Sequence, residues 1–199
     1  MLETEETFVS ASADSRSQGR GAKGGRETKG GRGTTGQGPD RRRQARLAAV
    51  QALYQVELGE MTADGVVTEF LQYRLEETID GVQLGRIDRG LFGDLVKGVV
   101  AHRDDLVASL SGTLAEGWSF DRLERLLQII MMCGLFELAH RPGTPARTAI
   151  HEYVDLAKAF FDDREPRMVN GVLDHLARVL RPEEIGARPA GDATKASDS

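Results

Sequence analysis

Apolar residues recur at helical spacing along most of the chain, most densely over residues 118–180. Leu123, Leu126, Leu127, Ile130, Met131, Gly134, Leu135 and Leu138 keep the i, i+3, i+4, i+7 pattern of one buried helical face. His140-Arg141-Pro142-Gly143 ends that run, since proline cannot continue the hydrogen-bond ladder. Thr144 before Pro145 reads as an N-cap followed by proline at the first helical position. The next run would bury Ala149, Ile150, Tyr153, Val154, Ala157 and Phe160. Asp162, Asp163 and Glu165 around Pro166 suit the positive end of a last helix, with Met168, Val169, Val172, Leu173, Leu176, Val179 and Leu180 inside.

Upstream, Asp40 can cap a helix over residues 41–58, with Leu47, Val50, Leu53, Tyr54 and Val56 on its buried face. Arg41, Arg42, Arg43 and Arg46 crowd its start, the end the helix dipole reserves for anions. Such a broken local rule hints at function. Residues 61–77 carry a second helical pattern, with Thr62 or Asp64 as cap. A third runs from Asp88 to Leu110 as one helix or two, because Gly98 and His102-Arg103-Asp104-Asp105 leave room for a break. No strand alternation or internal repeat occurs, so the expected class is all-α with six to seven helices. Residues 1–39 lack apolar periodicity, and nine of the twenty residues from Gly19 to Gly38 are glycine. The expected organisation is a disordered Gly/Arg-rich arm over 1–39, a helical domain over 40–182 and a disordered tail over 183–199.

Charge changes this picture more than composition does. Residues 15–46 hold ten Arg or Lys against Glu27 and Asp40, a surplus of +8, so the remainder carries −13 within the net −5. A basic arm suits a polyanion, most simply nucleic acid, and an acidic body suits a basic protein. No stretch reaches the ~18 apolar residues of a membrane span, and the acidic start MLETEETF is no secretory signal. A lone cysteine, Cys133, fits a reducing, cytoplasmic setting and reads as a small buried hydrophobe.

Candidate chemistry is sparse. His102, His140, His151 and His175 form no pair at metal spacing, and Asp155 stands where a zinc-protease helix needs its second histidine. The glycine-rich segment lacks phosphate-loop spacing. The Asp162, Asp163, Glu165 group is explained by helix-start charge. Neither catalysis nor a cofactor or metal is expected. Asn170-Gly171 falls inside a helical period, where glycine costs roughly 1 kcal/mol against alanine, so close helix packing or a functional contact is expected there.

Three stretches carry a resemblance: RRRQARLAAVQALYQVEL at 41–58, FELAHRPGTPARTAIHEYVDLAKAFF at 136–161 and MVNGVLDHLARVL at 168–180. Together they resemble the NusB family of bacterial transcription antitermination factors over residues 41–182. The sequence departs from the family pattern at Met132-Cys133, His151 and Met168. The resemblance implies a helical fold of two packed subdomains. It also implies binding to boxA RNA of nascent ribosomal-RNA transcripts with the ribosomal protein NusE, on an RNA polymerase elongation complex with other Nus factors. By position it assigns RNA contact to Arg41, Arg42, Arg43 and Arg46, a stacking or core role to Tyr54, and RNA proximity to Arg164 and Arg167. A homodimer stays open. The alternatives are a module associated with an RNA methyltransferase, for which the stretch after Leu180 leaves no room, and a purely protein-binding helical module.

Overall fold

The computed structural model describes residues 37–59, 61–74, 78–79, 82–83 and 87–186. The glycine-rich arm as far as residue 36 and the tail from residue 187 lie outside the described residues. Among the described residues eight α-helices follow in order: α1 Gln37–Glu57, α2 Ala63–Glu69, α3 Arg89–Ala101, α4 Arg103–Ser111, α5 Arg125–His140, α6 Ala146–Lys158, α7 Arg164–Leu180 and α8 Pro182–Ile185. A π-helical turn, Phe70–Arg74, extends α2, and a 3-10 turn, Phe120–Arg122, precedes α5. The pattern along the sequence shows no strand, yet β1 Thr78–Ile79 and β2 Val82–Gln83 form a minimal antiparallel ribbon. Four residues are too short for alternation to register.

The helix expected from Asp88 onward is two helices, broken at His102. Asp88 caps α3, accepting the Leu91 N–H at 3.0 Å. Thr62 caps α2 through Gly65. Pro145, not Thr144, is the N-cap of α6. Residues 183–185, at the start of the expected tail, belong to α8, which buries Ile185. Helix α1 starts at Gln37, ahead of the expected Asp40 cap, so Asp40 lies in its first turn. The arginines then fall in later turns, beyond the strong reach of the dipole.

Helix α5 is buried without interruption from Leu127 to Leu138, as a helix apolar on every side must be. It packs against α1, α3, α4, α6 and α7. Helices α1–α3 form one subdomain and α6–α8 complete the other, with α5 as the shared wall. Two glycines let α5 pack so closely. At Gly98 of α3, a Cβ would lie 2.0 Å from the Phe136 ring. Gly134 of α5 would place one 2.7 Å from Leu173 of α7. Small residues serve α1 in the same way, since Ala45, Ala48, Ala49 and Ala52 are all buried.

Buried carbonyls at the end of α5 and in the turn after it are closed by Arg181. Its guanidinium donates to the Leu138 carbonyl at 2.7 Å, the Thr144 carbonyl at 2.7 Å and the Glu137 carbonyl at 3.1 Å. Cationic caps at helix C-termini satisfy both the unpaired carbonyls and the dipole. Glu184, paired with Arg181 at 3.2 Å, accepts the Ala146 N–H at 2.7 Å and so caps the start of α6.

A Gly98→Ala substitution forces its methyl group into the Phe136 ring. It is expected to destabilise the protein by about 1–3 kcal/mol, the usual range for core overpacking, measured by urea denaturation.

Candidate nucleic-acid interface

Arg41, Arg42 and Arg43 are exposed on α1. The Arg41 carbonyl accepts the Asp88 N–H at 3.1 Å, which ties the start of α3 to this turn. Arg42 lies 3.7 Å from the Asp88 carboxylate and lines a cleft with Leu91 and residues 140–144. This ion pair is half solvated, so a phosphate can compete for Arg42 at little cost.

Arg46 is elsewhere. Expected as an RNA contact, it is instead 3% exposed. Its Nη2 and Nε donate to the Glu137 carboxylate at 2.7 and 3.0 Å, while Nη1 lies 3.4 Å from Glu152. Tyr153 donates its hydroxyl to Glu137 at 2.8 Å. Arg46 lies one turn past Arg42 and Arg43 on nearly the same stripe of α1, and what separates it from them is the cover: at its level Glu137 of α5 and Glu152 of α6 take its guanidinium inside. Burial alone would raise the Glu137 pKa, but the hydrogen bonds and charge of Arg46 and the Tyr153 hydroxyl outweigh it and hold the carboxyl below its usual range. Burial and the adjacent Glu137 charge push the Tyr153 phenol well up. Cys133, fully buried, has its thiol raised by desolvation first and by Glu137 second, which leaves it unreactive.

Tyr54 does not belong to the core face expected for it, being 36% exposed. Spacing along α1 puts Arg43, Leu47, Gln51, Tyr54 and Leu58 on one stripe, exposed at its ends and half-buried between. One turn beyond Tyr54, Glu57 accepts from Arg103 at 2.9 Å and Arg125 at 3.1 Å. Contacts continue from there. Arg125 donates to Gln128 at 3.2 Å, and Gln128 donates to the Phe120 carbonyl at 2.9 Å, beside the half-buried Trp118. The Arg164 guanidinium lies over the Trp118 ring, 4.3 Å from its centroid. Arg167 is exposed and pairs with Asp163 at 3.3 Å. Met168, the departure at this point, is half-buried against the core.

The structure therefore separates the expected arginines into a cluster at the start of α1 and another at the start of α7. The Tyr54 stripe spans α1 between its two ends, and Arg46 is removed from the surface. Arg103 and Arg125 were missed by sequence reasoning. Both open a helix, where a cation is disfavoured, and that signal could have found them. Among the described residues no group of three or more potential ligands could hold a metal, and no helix is long and apolar enough to cross a membrane.

The sequence model of the NusB family matches residues 43–178. The chain belongs to the NusB family. A transcription antitermination protein NusB from Novosphingobium aromaticivorans is 44% identical over 140 residues, covering 70% of this chain and 95% of that one. The NusB from Maricaulis maris is 40% identical over 144 residues, covering 72% and 90%. A solved T. maritima NusB superposes with a TM-score of 0.52 at 23% identity, covering 72% of this chain and 94% of that one. At that identity the last comparison speaks for the all-helical fold alone. The NusB match begins at Arg43, at the head of the exposed α1 stripe, and ends at Arg178 in the last turn of α7.

Glu137→Gln leaves the Arg46 charge buried with only Glu152 nearby. It is expected to cost about 3–5 kcal/mol at neutral pH, the range for breaking a buried pair. Because the folded Glu137 pKa is lowered, its stabilisation is present above the ordinary glutamate value of about 4.3 and is lost as pH falls through the folded value. The stability gap between parent and variant should therefore close on acidification below that range, followed by denaturation at stepped pH.

Proposed function

We propose that the chain is a non-enzymatic RNA-binding transcription antitermination factor of the cytoplasm. In this reading it binds boxA RNA of nascent ribosomal-RNA transcripts together with NusE, and the complex joins elongating RNA polymerase with other Nus factors. One observation carries the RNA-binding part: three arginines stand exposed on α1, and the same helix presents an exposed aromatic, Tyr54, toward its other end. Arginines neutralise phosphates, and an exposed ring can stack on an unpaired base. Arg164 and Arg167 extend the basic surface on α7. Arg46 serves as the internal anchor of the helix that carries the contacts and is not itself a contact. The −9 charge of residues 47–186 supports docking of a basic ribosomal protein.

Anisotropy of a labelled boxA-like RNA and a scrambled control, each with and without purified NusE, tests this reading. The expected result is preference for boxA that tightens with NusE. Equal weak binding to both RNAs, indifferent to NusE, would overturn it. Replacing Arg41, Arg42 and Arg43 together by glutamine should weaken RNA binding more than tenfold at low salt. It should also flatten the log-affinity against log-salt slope by roughly 2, at about 0.7 per phosphate contact for single strands. Undiminished RNA affinity in that variant would take the contact away from the start of α1, and absence of RNA binding by the parent would favour a purely protein-binding module.

A further inference from the structure

Before Leu47 every large apolar side chain of the sequence falls within the first nine residues: Met1, Leu2, Phe8 and Val9. Glu3, Glu5 and Glu6 stand among them, and no cation follows until Arg16. Phe8 is the only aromatic residue ahead of Tyr54. An aromatic beside three carboxylates has the chemistry of a docking segment, with a ring for a hollow and acids for a cationic rim. The glycine- and arginine-rich stretch that follows offers cations but no apolar surface for the ring.

A surface of the complementary kind lies near the start of α1. Two hollows of about 280 and 380 Å³ share His140 and Arg141 as a common wall. Leu91 and Pro142 line one, and Phe136 and Ala101 the other. The His140 ring stacks on Phe136 at 4.8 Å and on His102 at 4.5 Å, so a face of flat rings runs out to solvent. Arg42, Lys97 and Arg141 stand at the rim, with Asp94 as the lining carboxylate. Their ion pairs, with Asp88, Asp64 and Asp94, are solvated enough to be exchanged at little cost.

We propose that residues 1–9 dock in this cleft of their own chain, with Phe8 in a hollow and Glu3, Glu5 and Glu6 on the rim, covering Arg42. The connection permits it. Twenty-eight residues separate Phe8 from Gln37. Arg42 lies five residues beyond Gln37, about 7.5 Å along the helix axis. A glycine-rich chain of that length spans about 30 Å root-mean-square and holds its end at an effective concentration on the order of 1 mM. Contacts too weak to retain a free peptide then suffice. A basic protein would meet the rim cations, and a polyanion without an apolar anchor would leave the Leu91 and Phe136 floor unused. Covering Arg42 sets the segment in competition with RNA. That consequence rests on the RNA-binding reading above, whereas the docking does not.

Cys133 is buried and unreactive, so Ser10→Cys supplies the one thiol open to a nitroxide label on the full chain. Paramagnetic broadening of backbone amides then reports where the segment lies. Amides of Leu91, Ala101, His140 and Gly143 are expected to lose more than half their intensity at low salt, and more than amides elsewhere on the helices. Glu3→Gln, Glu5→Gln, Glu6→Gln and Phe8→Ala, made together, should abolish that preference. So should Ala101→Glu, which places a carboxylate in the cleft and leaves the segment intact. Broadening that is even over the surface, centred elsewhere or unchanged by these substitutions overturns the docking. Broadening of the cleft by the label of a second chain, in a mixture where only the other is isotope-labelled, overturns the contact within one chain. The fourfold variant should also bind boxA-like RNA about threefold tighter than the parent at low salt, a gain that salt removes. Equal affinity overturns the cover of Arg42. Absence of RNA binding by the parent overturns the functional reading, and the broadening still decides the docking.

Discussion

The buried Arg46–Glu137 pair sets the geometry on which the rest of the molecule depends. It joins α1 to α5 at the seam between the two subdomains, and its bidentate form allows only one rotation of α1 about its own axis. That rotation turns the alanines of α1 inward and leaves Arg41, Arg42 and Arg43 in solvent. A hydrophobic contact of similar area would tolerate slippage, whereas two directed hydrogen bonds to a carboxylate do not. Two charges so deeply buried cost desolvation, which the pair's attraction and the Tyr153 hydroxyl offset. The net gain in stability from such a pair is modest. Its value here is in orientation.

A second set of directed contacts finishes what the pair begins. The turn between α5 and α6 carries carbonyls and an N–H that lie away from water, and Arg181 and Glu184 satisfy them from the far end of the chain. The C-terminal segment thus locks the seam from the side opposite α1. Both ends of the folded region converge on α5, and this explains why a helix of almost pure core can remain singly defined in register.

Surface chemistry follows from that frame. Each basic side chain considered as an RNA contact is placed by a helix whose other face is buried. Arg164 gains further order from Trp118. Arg42 and Arg167 carry acidic neighbours in the free protein, at exposures where such pairs contribute little. In the proposed RNA-binding reading these two side chains are available to a polyanion at little cost.

Much of this was legible in the residues. Apolar periodicity located every long helix, because burial on one face imposes the 3.6-residue repeat whatever the partner. The proline and acidic signals placed the α5–α6 and α6–α7 connections, and the quoted stretches pointed to the family. What the chain could not reveal by itself was which arginine of a cluster is inside. Arg43 and Arg46 are chemically identical and three residues apart. Only the position of Glu137, ninety-one residues away in sequence, decides that one is anchor and the other surface. The same holds for the glycines: composition cannot tell Gly98, which makes room for Phe136, from Gly171, which meets nothing within 4 Å among the described residues. Local sequence determines the helices because their hydrogen bonds are local. Tertiary structure alone decides the faces, because a face is defined by what packs against it.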